Sequence, residues 1–169
     1  MENIEIVLIN FDKCNLDDFI YNELKLHSSR IISSHFYDDK LNKDIEFFQL
    51  NSLENILSPI GTGNTYVKEL DIGINLHKVI IVFSFDETTG DIVINFPAEE
   101  LFTGSQVESR LKLTKLVNYL VNIKRNYNIA ITKIGYEPAT DEDMLLIELA
   151  NNSHNYNGVI DTIIKLQDE

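Results

Sequence analysis

The stretch from Leu70 to Phe96 constrains the fold more than any other part of the chain. Leu70, Ile72, Ile74 and Leu76 alternate with Asp71, Gly73 and Asn75, the period of a half-buried strand. Val79 to Phe85 follows as a dense β-branched and aromatic run. Asp86-Glu87-Thr88-Thr89-Gly90 has the length and residue types of a hairpin loop, and Asp91 to Phe96 returns from it. The expectation is three consecutive antiparallel strands from Leu70 to Phe96.

The flanking segments supply the rest. Asn3 to Asn10 is apolar on both alternating faces, as in a strand near the sheet centre. Asn15 reads as an N-cap, with Asp17 and Asp18 in the first turn and Phe19, Ile20, Leu24 and His27 at helical spacing. His35 to Lys40 and Gly61 to Asn64 read as loops, Ile45 to Leu50 as a short strand, and Ser52 to Leu57 as a brief capped helix. After Pro97 a helix start carries Glu99 and Glu100. Gln106 to Asn126 is a long helix whose buried stripe is Leu113, Leu116, Val117, Leu120 and Val121. Ala130 to Glu137 reads as a strand, Met144 to Leu149 as a strand in preference to a helix, Asn151 to Gly158 as loop and Val159 to Leu166 as helix. Strands grouped around one meander, with helices between the runs, predict an α+β fold. A mostly antiparallel sheet with a central three-stranded meander would have helices packed on one face. At 169 residues the chain suits a single domain, 1–169.

Charge narrows the function classes. Twenty-seven acidic residues against 14 basic ones leave a net charge of −13. Phosphate backbones and anionic membrane surfaces both select for Lys and Arg, so neither nucleic acid nor membrane is an expected partner. A basic protein is what this field would steer. The imbalance is uneven: Ser109 to Tyr136 holds six bases and no acid, leaving eight bases against 27 acids elsewhere. That basic helix either pairs with the protein's own acids or makes the molecule dipolar. Only one cysteine is present, Cys14, next to Lys13, a neighbour that can lower a thiol pKa. No basic segment followed by an apolar one opens the sequence, and the unpaired cysteine suits a reducing compartment. The expected location is the cytoplasm.

Motifs for chemistry are missing. The sequence has no CxxC, no HExxH, no calcium-loop spacing and no GxSxG elbow. Gly61-Thr62-Gly63 lacks the third glycine of a dinucleotide fingerprint, because Tyr66 stands in its place. No cofactor and no metal are therefore expected.

The run Val79-Ile80-Ile81-Val82-Phe83-Ser84-Phe85-Asp86-Glu87-Thr88-Thr89-Gly90-Asp91-Ile92-Val93-Ile94 leads into Pro97-Ala98-Glu99-Glu100-Leu101-Phe102. A long helix and Ile134-Gly135-Tyr136-Glu137 follow. This order resembles the small cytosolic immunity-type proteins of bacterial polymorphic toxin systems over about half the chain. The resemblance implies no catalytic residues. It implies a protein that occludes a toxin's active site, commonly with acidic side chains.

The leading expectation is thus a non-enzymatic acidic protein that binds a basic partner through Glu99, Glu100, Glu137, Asp141, Glu142 and Asp143, which concentrate in two expected loops. Asp141 to Asp143 are three adjacent carboxylates, which disfavours burying them together and predicts an exposed tip. Two alternatives stand beside it. One is an enzyme using Glu99, Glu137 and His77 at strand ends, which needs a concave pocket. The other is a self-associating module, a homodimer, using Tyr66, Tyr119, Tyr127, Tyr136 or Tyr156.

Overall fold

A computed structural model describes residues 2–150 and 155–167. Among these residues eight strands form a single sheet in the order β3-β2-β4-β5-β6-β1-β7-β8, with every neighbouring pair antiparallel. The strands are β1 (Asn3–Asp12), β2 (Ile31–Asp38), β3 (Lys43–Ile45), β4 (Gly61–Asp71), β5 (Asn75–Phe85), β6 (Thr89–Pro97), β7 (Ile131–Tyr136) and β8 (Leu145–Leu149). The helices are α1 (Leu16–Asp18), α2 (Leu53–Ile56), α3 (Glu99–Phe102), α4 (Gln106–Asn126) and α5 (Asn157–Leu166). This is the expected α+β architecture.

The central row of the core can be followed across the sheet by register. Thr65, Ile81, Ile94, Ile6, Ile134 and Ile147 are successive cross-strand partners, all buried. Leu113, Leu116, Leu120 and Ile123 of α4 and Ile160 and Ile163 of α5 join the same hydrophobic cluster. Side chains of opposite parity in β5, Ile80 and Val82, stay exposed, so the helices cover one face and leave the other bare along β5. β1, with both neighbours paired and Ile6, Val7 and Leu8 buried, lies inside the sheet as its two apolar faces require. α4 has the bounds its periodicity predicts; Ile123 completes its stripe, and Val121 is only partly buried. Ser105 and Glu108 close a capping box at its start. β8 is a strand, as preferred.

Several segments differ from expectation. The meander exists, but its first strand is Gly61–Asp71, and Leu70 to Leu76 is the turn into the next. Leu70 faces Leu76, Ile72 N–H donates to the Ile74 carbonyl at 3.0 Å, and Gly73 takes φ +84°. A tight hairpin keeps cross-strand partners on one face, so its apolar residues repeat every second position as they would along one strand. Gly61 to Asn64 is strand, not loop. Gly63 is there because Phe36 is fully buried against it: a Cβ would lie 2.2 Å from that ring. His35 to Lys40 is mostly strand too, since β2 alternates buried Ser34 and Phe36 with exposed His35 and Tyr37. The strand expected over Ile45 to Leu50 ends at Ile45, and Phe47–Gln49 forms a helical turn instead. The helix expected from Asn15 is broken into a 3-10 turn, α1 and a π turn. Asn15 makes no side-chain cap, and Asp17 turns away to accept the Leu53 N–H at 2.6 Å, capping α2 with Ser52. Of the loop expected over Asn151 to Gly158, residues 151–154 lie outside the described residues, and α5 already begins at Asn157.

Three surface carboxyls are held below their usual range: Asp18 by hydrogen bonds from Asn22 and Tyr127, Glu108 by the Ser105 backbone N–H and hydroxyl, and half-buried Asp161 by Arg110. Each binds its proton more weakly folded than unfolded, so each contributes stability present above the unfolded value and lost as pH falls through the folded one. Their contribution should therefore be lost only as pH falls below the ordinary values of 3.8 for Asp and 4.5 for Glu. Tyr127→Phe removes one donor and should move the Asp18 titration, followed by carboxyl NMR, upward. An Asp18 titration that stays in place contradicts the assignment of the Tyr127 bond.

Candidate functional site

Strand polarity decides where the acids go. β1 begins, and β6 and β7 end, at the same end of the sheet, because Asn3 pairs with Pro97 and Ile4 with Tyr136. The Ala98 N–H donates to the Glu2 carbonyl at 3.0 Å, which ties the start of α3 to the chain entering β1. Buried Leu101 anchors that short helix, leaving Glu99 exposed and Glu100 half-buried, with its Oε2 3.1 Å from His77 Nδ1. On the other side of β1 the Glu137 N–H donates to the Asn3 carbonyl at 3.2 Å, and the Glu137 carboxylate accepts from Asn3 Nδ2 at 3.2 Å.

The β7–β8 connection continues from Glu137. Ala139 is fully buried, and its N–H donates to Glu5 Oε2 at 2.7 Å. The Asp141 carbonyl accepts the Met144 and Leu145 N–H groups at 3.1 Å, closing the turn. Asp141, Glu142 and Asp143 are exposed on it. All six acids singled out in the sequence thus lie on connections at one end of the sheet, joined there by Glu2. Sequence reasoning passed over Glu2, which the Ala98 bond brings in, and Glu5, which pins the acidic turn from the neighbouring strand. Only the partner strands reveal either role.

The other candidates do not assemble into catalytic machinery. His77 meets Glu100 rather than Glu99 or Glu137. Clefts of about 530 and 460 Å³ lie elsewhere, one by Asn22, Asp71 and Tyr119 and the other between the β2–β3 turn and α2. Neither is lined by Glu99, Glu137 or His77. Tyr119, Tyr127, Tyr136 and Tyr156 pack against the core, and Tyr66 alone of the five tyrosines stands on the bare face. In the basic segment Arg110 pairs with Asp161 at 2.6 Å and Lys133 with Glu148 at 3.9 Å, so part of that charge meets the protein's own carboxylates. Cys14 is exposed, and Asp12, its hydrogen-bond partner, raises its pKa. Lys13 does not lower it, because the ammonium is buried elsewhere. No helix of the described residues is long and apolar enough to cross a membrane.

Comparison with known proteins gives this arrangement a family. One chain of the crystal structure of the toxic C-terminal tip of CdiA from Pseudomonas aeruginosa, in complex with immune protein, is similar in fold. The two superpose with a TM-score of 0.67 over 91% of this chain and 97% of that one, at 17% identity. No curated protein matches. A family model described as PABL017 Cdi1I immunity protein matches residues 2–152, which takes in all eight strands and the whole acidic end of the sheet. The chain belongs to the PABL017 Cdi1I immunity protein family.

Proposed function

We propose that this protein neutralises a basic protein toxin by binding it without chemistry, with the acidic end of the sheet laid against the toxin's active site. The observation that carries the reading is the convergence of Glu99, Glu100, Glu137, Asp141, Glu142 and Asp143 on one sheet end in a member of an immunity family. Opposite charge would steer the encounter, and the acids would occupy a site built to hold an anionic substrate. A CdiA toxic tip, the partner in the structurally similar complex, is the kind of target this implies. The protein would act as a single domain in the cytoplasm, where a toxin arriving from outside meets its substrate. Lone Cys14 is compatible with that compartment.

The test is co-expression. A host making the C-terminal domain of the protein encoded by the neighbouring gene should stop growing, and induction of this protein should restore growth. Growth arrest that persists at full expression of folded protein overturns the reading.

A further inference from the structure

We propose that the bare face of the sheet, around Tyr66, Ile80, Val82 and Val93, is the apolar centre of the interface with that basic partner. The inference rests on the toxin-binding reading above and adds where the toxin sits. Side chains facing the helices in β5, Ile81 and Phe83, are fully buried, whereas Ile80 and Val82, which alternate with them, remain 44% and 37% exposed. Register carries the patch sideways: Tyr66, Ile80, Asn95 and Glu5 form one cross-strand row. Val82 and Val93 form the next, which runs on to buried Val7 of β1. An exposed apolar strip on an otherwise acidic protein marks an interaction surface.

In the first row Glu5, which pairs on with Gly135 of β7, accepts the Ala139 N–H and so holds the Asp141–Asp143 turn. The apolar strip and the acidic tip are therefore parts of one surface, an apolar centre with an anionic rim. At the other side of Val82 a cleft of about 290 Å³ opens between Tyr37, Asn64 and Asp44. Asp44 takes part in none of the ion pairs of the described residues, so a long cationic side chain entering there would find a carboxylate. Charge selects the occupant. A second copy would bring another −13 against this rim, whereas a basic domain is attracted to it.

The experiment measures the affinity of folded variants for the toxin domain that the co-expression test identifies, carrying an inactivating substitution. Ile80→Lys with Val82→Lys puts two cations into the strip and should weaken binding at least 50-fold. Val107→Lys with Leu111→Lys, at more exposed apolar positions on α4, should stay within threefold of wild type. Ile80→Thr with Val82→Thr keeps β-branched side chains, decides the matter if the lysine pair does not fold, and should also weaken binding. Wild-type affinity in the sheet variants, or an equal loss in the α4 control, overturns the inference while the toxin-binding reading stands. A lysine pair that abolishes self-association but leaves toxin affinity intact overturns it as well. Failure of the wild-type protein to bind the probe removes the toxin-binding reading and this inference together.

Discussion

Replacing Lys13 by Met should lower the unfolding free energy by about 3–5 kcal/mol. The Lys13 ammonium is buried, and Nζ donates to the carbonyls of Leu57, Pro59 and Asp86 at 2.7, 2.9 and 2.9 Å. Those carbonyls belong to the exit of α2 and to the β5–β6 turn, so one side chain ties the end of β1 to two distant connections. Methionine fills a similar volume but leaves three backbone acceptors without a donor, each costing about 1–3 kcal/mol where water cannot reach. Burial pushes the Lys13 pKa below the ordinary lysine value, opposed by the charges of Glu54, Asp86 and Glu87. Urea unfolding reads the loss directly. A change below about 1 kcal/mol means that water replaces the ammonium at little cost, and the tie is then unimportant.

The second large effect is on association. Converting Glu99, Glu100, Glu137, Asp141, Glu142 and Asp143 to their amides removes six carboxylates from one sheet end. The association rate with the toxin domain should fall about 10–100-fold at low salt, and most of its salt dependence should disappear. Amides at Asp141, Glu142 and Asp143 alone should already slow association markedly. Stability should change little, since surface substitutions cost about 0.5 kcal/mol or less each. Stopped-flow mixing at several ionic strengths separates the two. Wild-type rates for the six-amide variant at low salt would remove these acids from the interface.

How much the sequence reveals depends on whether a residue's role is local. The α4 bounds, the Ser52 cap and the apolar strands rest on periodicity and capping within a few residues, and they are read correctly. The exposed tip at Asp141–Asp143 follows from repulsion among adjacent charges. Where strand and turn share a period the reading fails, as at Leu70–Leu76, and where a strand is polar it is taken for loop, as at His35. Lys13 shows the limit most clearly. Its neighbour in sequence is Cys14, but its partners lie 44 to 73 residues away. The gathering of Glu99 and Glu137 at one end of the sheet likewise needs the pairing of β1 with both β6 and β7, which no local pattern specifies.

The most direct test of the central claim is hydrogen exchange of the chain with and without the inactivated toxin domain. Binding through the acidic sheet end predicts slowed exchange over residues 137–145 and over 97–103. Exchange in the outer turns of α4 and α5 should be unchanged. Protection confined to α4 and α5, with 137–145 exchanging as in the free protein, would contradict the account.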